Sequence, residues 1–190
     1  MNGPLLTSPM QEYRTSARRK MLHQGMVIGI ENHSPFGKNM QCAVVELNYG
    51  LKGLIYEDQF DRRKYSSLVG FLGHKIDFMV LDVTKLGQDD TKVNVFDEEK
   101  GIVLLSRVQA IDELQEEFWS TAELNHIVTG EVGIFIKLAP GIESLAWFPP
   151  ANKMPKDGIL VGKRVSVRIK NINADKRRIG SKIVDFPYEI

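Results

Sequence analysis

From Gly25 onward the chain is written in short apolar runs: GMVIGIE, QCAVVELN, LKGLIYE, GHKIDFMVLDV and KGIVLLSRV. Each is rich in β-branched and aromatic residues and is bounded by Gly, Asn, Asp or Pro, the punctuation of strands. They predict about five strands before Ala110. The pattern returns in HIVTGEVGIFIKLAPGIESLAWF, GKRVSVRIKNI and RRIGSKIV. Two stretches follow a helical period instead. In TSPMQEYRTSARRKMLH, Ser8 suits a cap, Pro9 the first turn, and Met10, Tyr13, Ala17 and Met21 form one apolar stripe. Arg14, Arg18, Arg19 and Lys20 project elsewhere. In AIDELQEEFWSTAEL, Ile111, Leu114, Phe118 and Ala122 share a face, which predicts a connecting helix. Two connections are long for small barrels: NHSPFGKNM, and TKLGQDDTKVNVFDEEK, which has room for an extra hairpin.

The strand runs repeat. Residues 45–56 match residues 136–147 position for position, pairing Glu46 with Lys137, Gly50 with Gly141, Leu54 with Leu145 and Tyr56 with Trp147. Two five-stranded units joined by a helix predict a mainly β protein of two tandem OB-type barrels. The expected boundaries are an N-terminal helical extension over 1–23, a first barrel over 24–109, a linker helix over 110–124 and a shortened second barrel over 125–190.

Charge changes this picture only through its distribution. The net charge of +1 is uninformative, but residues 130–190 carry 11 Lys/Arg against 6 Asp/Glu, whereas residues 86–125 carry 3 against 10. The second barrel is therefore the better candidate for an anionic ligand. The single cysteine, Cys42, sits in an apolar run, which excludes an internal disulfide and a cysteine-based zinc site. The four histidines, His23, His33, His74 and His126, are widely spaced and read as surface or loop residues rather than metal ligands. Neither a Gly-Lys-Ser/Thr phosphate loop nor a paired nucleophile and base stands out. The expectation is a non-enzymatic protein without metal or cofactor. The start MNGPLLTSPM lacks a basic, apolar leader and no run approaches a membrane span, so a cytoplasmic location without membrane contact is expected.

GIFIKLAPGIESLAWF followed by LVGKRVSVRIKNINADKRRIGSKI resembles the S-one RNA-binding domain, the repeat of the bacterial small-subunit ribosomal protein of that name. GMVIGI, AVVELNYGLKGLIY, LGHKIDFMVLDV and IVLLSRVQA resemble a first copy. The resemblance covers about residues 24–185 and implies single-stranded RNA bound across a strand face. In that family the face uses an aromatic on the second strand, an aromatic or His ending the third, and a basic residue on the fifth. In the second copy these roles fall on Phe135, Trp147 and Arg178, with Arg177 and Lys182 nearby. In the first they fall on Val44, Tyr56 and about Ile102, leaving Tyr56 as its base platform; Phe36 and Lys38, in the enlarged first loop, are substitute contacts.

The chemistry suits these residue types. A single strand offers unstacked bases and a line of phosphates, which call for flat side chains beside cations. In KRVSVRIK a period of two sets Arg164, Ser166, Arg168 and Lys170 on one face. Arg168, Lys170, Arg177, Arg178 and Lys182 are the candidate phosphate contacts. Two alternatives stay open: single-stranded DNA as the ligand of an accessory factor, and an adaptor that docks on the ribosome or another nucleic-acid machine.

Overall fold

The computed structural model describes residues 9–34, 39–86, 93–132, 135–147 and 161–185; the side chains of Glu131, Val132 and Trp147 lie outside that description. The chain is mainly β and divides into two units, residues 1–112 and 113–190.

The first unit contains helix α1 (Pro9–Arg19) and strands β1 (His23–His33), β2 (Met40–Glu46), β3 (Lys52–Tyr56), β4 (Lys75–Val80), β5 (Phe96–Asp97) and β6 (Ile102–Ser106), with a one-turn helix α2 (Glu57–Phe60) after β3. The sheet order is β3-β2-β1-β4-β6-β5, and β3 also pairs in parallel with β6. The pairings therefore run β1-β2-β3-β6-β4 and return to β1. Alternation sends Val27, Ala43, Val45, Ile55, Phe78, Val80, Val103 and Leu105 inward to one core. Among the described residues the long connection contributes one short strand, β5, which pairs with β6, rather than a hairpin of its own.

Helix α1 belongs to that core rather than forming a separate extension. Met10 and Tyr13 are buried in it, Ala17 packs against it, and the Tyr13 hydroxyl accepts the Asn48 N–H at 3.1 Å. The physical reason is that the stripe read from the sequence needs an apolar partner, and the first unit's sheet supplies it. Met21 lies beyond the helix and is exposed. His23 is also not a loop residue. It begins β1, its Nε2 is hydrogen-bonded to the buried Ser16 hydroxyl, and its ring stacks on Phe78 at 5.6 Å between centroids. Burial holds its pKa below the ordinary value, while Glu12 pulls it upward.

Helix α3 (Arg107–Thr121) starts three residues ahead of the expected 110 because Ser106 caps it: its hydroxyl accepts the Gln109 N–H at 3.0 Å. Its first turns belong to the first unit and the remainder to the second. Arg107 binds the Phe60 carbonyl at 2.9 Å and Asp61 at 2.8 Å, tying the helix start to α2.

The second unit contains β7 (Ile127–Val132), β8 (Ile136–Ala139), β9 (Ile142–Trp147), β10 (Arg164–Asn173) and β11 (Arg178–Asp185). These close as β7-β8-β9-β11-β10, with β9 and β11 parallel. Val165, Val167, Ile183 and Ile136 fill the interior, while Phe118 and Trp119 of α3, with Ala122 just past its end, pack on Ile142, Ile169 and Ile179.

The registers of the two rings correspond. Val45 faces Gly53 and Ile136 faces Ser144; Gly53 faces Val103 and Ser144 faces Ile179. A Cβ on Gly25 would lie 2.6 Å from Val45, and one on Gly130 would collide with Ile136, so each first strand needs glycine at the same crossing. The interiors differ at one matched pair. Gly53 leaves room for Leu105, where the second unit has Ser144 and Ser181, both buried, with hydroxyls 2.7 Å apart.

Candidate nucleic-acid interface

The outward face of the third and last strands separates the two units. In the first, Val44, Leu54 and Leu104 stand side by side on β2, β3 and β6. They point away from the core, yet all are buried, Val44 and Leu54 at 3% exposure. Leu81, Val83, Leu86, Val93 and Val95, from the insertion after β4, pack over them. This strap is held by main-chain bonds from Leu81 to the Leu104 carbonyl at 3.0 Å and from Leu104 to the Val95 carbonyl at 2.9 Å. The buried Gln109 amide clamps its start, accepting the Asp82 N–H and donating to the Asp82 carbonyl, each at 2.9 Å. Tyr56 packs half-buried at the edge of this cluster, and burial raises its phenol pKa.

The corresponding positions of the second unit are Phe135, Leu145 and Gly180, and there the face is open. Phe135 is 47% exposed and Leu145 65%. Phe135 directly precedes Ile136, whose antiparallel pairing with Ser144 carries it toward Leu145. Leu145 is in register with Gly180 of β11, and Gly180 with Asn171 of β10. One step along, Trp147 is in register with Lys182, and Lys182 with Arg168. On the other side Arg178 faces Asn173. Adjacent strands lie about 4.8 Å apart, so Trp147, Lys182 and Arg168 span about 10 Å of backbone.

The expected site residues therefore fall into groups. Phe135, Arg178 and Lys182 are exposed and Arg168 is half-exposed on the same band of strands. Trp147 holds the register position given above, its side chain lying outside the described residues. No ion pair joins Arg168, Arg178 or Lys182 to another described residue. Lys170 is exposed beside Asn125, 3.5 Å from its side-chain oxygen. Arg177 sits in a turn with φ 46° and reaches back to Glu116 of α3 at 3.2 Å, which draws its guanidinium away from the strand band. In the first unit Tyr56 is in register with Cys42, not with a cation, and Phe36 and Lys38 lie outside the described residues.

Sequence reasoning missed Leu145, Asn171 and Asn173 on this face. Strand parity and the correspondence of Leu145 with Leu54 were available signals for the first; the second needed the β10 irregularity between Ile169 and Asn171. It also missed the strap: TKLGQDDTKVNVFDEEK reads as a long connection, and local pattern does not show that its apolar residues fold back over the sheet. A hollow of about 270 Å³ elsewhere on the second unit is lined by Lys137 and Arg164 with Thr129, Leu138 and Pro140. It has cations but no aromatic surface.

Among the described residues, no three His, Cys, Asp or Glu side chains come together as a metal site, and no helix is long and apolar enough to cross a membrane. No protein-family model and no curated protein sequence matches the chain.

Proposed function

We propose that the chain is a non-enzymatic binder of single-stranded RNA, built from two OB-type barrels of the S-one kind, with the second barrel carrying the ligand. The carrying observation is the contrast between matched faces: Val44–Leu54–Leu104 buried under the strap, Phe135–Leu145–Gly180 open to solvent beside Arg178, Lys182 and Arg168. The two rings support the fold assignment, since each joins its third strand in parallel to its last and its fourth to its first.

In this reading Phe135 and Trp147 offer π surfaces for bases, each worth about 1–3 kcal/mol. Arg178, Lys182 and Arg168 neutralise phosphates, and the resulting counterion release makes affinity fall with salt. Lys170 and Arg177 lie at the margin, and Arg177 must leave an exposed ion pair that costs little to break. Translation, RNA processing or RNA turnover in the cytoplasm is the corresponding setting.

Fluorescence anisotropy with a labelled single-stranded RNA tests this, comparing wild type, Trp147→Ala and Arg178→Ala. Weaker binding in both variants is the expected result. Failure of the wild type to bind at low salt, or unchanged binding in both variants, would refute the assigned face. A DNA oligomer of matched sequence separates the RNA reading from the accessory-factor reading, because only RNA has the 2′-hydroxyl.

A second reading, contact with a protein machine such as the ribosome, is favoured for the first unit by one observation. Met26 and Ile28 on β1, and Val69 and Leu72 in the turn whose Gly73 N–H binds the Val27 carbonyl, are all exposed apolar side chains. A pull-down that survives nuclease treatment is its test.

A further inference from the structure

The open face has a gap at Gly180. Its neighbours in β11, Ile179 and Ser181, are buried, so residue 180 is an outward position without a side chain. Leu145 stands in register on one side and Asn171 on the other. A Cβ placed on Gly180 would lie 3.5 Å from the Asn171 Cβ, so the vacant space and the Asn171 side chain share one side of the sheet. Leu104 fills the matched position in the first unit, which makes the gap particular to the second.

Three properties suit this gap to a base rather than a phosphate. Leu145 and, beyond it, Phe135 give it an apolar wall. Its opposite wall is a neutral amide, while the cations Arg178 and Lys182 stand one outward position before and after it on β11. The Asn171 side chain makes no hydrogen bond to another described residue, whereas the Asn173 side-chain oxygen already accepts the Lys176 N–H at 2.9 Å. An exposed Asn amide holds a donor and an acceptor side by side, the arrangement that matches a base edge.

We propose that the Gly180 gap is a base-reading subsite in which one base lies against Leu145 and Phe135 and Asn171 hydrogen-bonds its edge. The proposal rests on the single-strand reading above and adds to it the residue that sets base preference. Stacking and phosphate contacts tolerate any sequence, so discrimination requires a directed polar group. Asn171 is that group.

The test measures the full chain against oligoadenylate, oligocytidylate and oligouridylate RNA by anisotropy, for wild type, Asn171→Ala and Gly180→Val. Wild type should separate the three by about tenfold between best and worst, the scale of one good base-edge contact. Asn171→Ala should shrink that spread to about twofold and leave the salt slope unchanged, because no phosphate contact is lost. Gly180→Val should weaken all three by about tenfold or more while keeping or raising the melting temperature, since valine suits a strand but fills the gap.

Equal binding of the three oligomers by wild type would overturn the proposal and leave RNA binding standing. So would an equal loss on all three in Asn171→Ala, or unchanged binding in Gly180→Val. No binding by wild type at low salt would instead remove the single-strand reading and the subsite with it.

Discussion

Positions 44 and 135 hold matched places in the two rings, and truncating them should have opposite consequences. Val44→Ala removes two carbons from a side chain 3% exposed beneath the strap. At about 0.8 kcal/mol per buried carbon, with a small cavity added, the first unit should lose about 2 kcal/mol. RNA affinity should not change. Phe135→Ala removes a ring already 47% in water. Its stability cost should be about 1 kcal/mol or less, but one stacking platform disappears, so the dissociation constant should rise about 5- to 150-fold. Urea denaturation reads the first effect and anisotropy the second. Both tryptophans, Trp119 and Trp147, belong to the second unit, so their fluorescence follows that unit alone, while far-UV circular dichroism reports both. Val44→Ala should therefore shift the dichroism transition without moving the fluorescence one. The reasoning is refuted if Val44→Ala weakens RNA binding without loss of stability, for the strap would then not close that face. A stability loss above about 2 kcal/mol in Phe135→Ala would equally refute it, by showing the ring to be core.

Three further outcomes follow from the same geometry. Arg178→Ala and Lys182→Ala should each lower the slope of log affinity against log salt by about 0.7, and Arg177→Ala by less because its guanidinium rests on Glu116; equal slopes in all three would remove the phosphate track. Ser144→Ala should cost the second unit about 1–3 kcal/mol by orphaning the buried Ser181 hydroxyl, and adding Ser181→Ala should recover part of it in fluorescence-detected denaturation. Because the His23 pKa is lowered from its ordinary 6.5 in the folded state, the unfolded chain takes up the proton first as pH falls. This contribution to first-unit stability is complete above about pH 6.5 and is lost as pH drops toward the folded pKa; His23→Gln should flatten that part of the profile in urea denaturation.

Much of the strand framework could be read from the chain. β3, β4 and β6 fall within the apolar runs and β2, β10 and β11 overrun theirs by one residue each, because period-two alternation and Gly, Asn and Asp punctuation act over a few residues. The match of residues 45–56 with 136–147 reappears as matched cross-strand partners, since register follows which residues must face inward. The choice of Phe135, Arg178 and Lys182 rests on the family resemblance, because alternation along a strand does not say which strands adjoin. Asn171 was not legible: the irregularity after Ile169 exposes both Lys170 and Asn171, and strict alternation gives no notice of that.

The sequence by itself determined a mainly β chain, the spacing of the repeat and the concentration of cations in the last third, all properties of local pattern. Tertiary structure decided which outward face meets solvent. Val44 and Phe135 hold matched positions in the two units, and only the strap folding back over one of them buries it. It also decided that α1 completes the first core and that His23 is enclosed by Ser16 and Phe78. Burial of a face depends on segments distant along the chain, and periodicity shows only that a face exists, never what covers it.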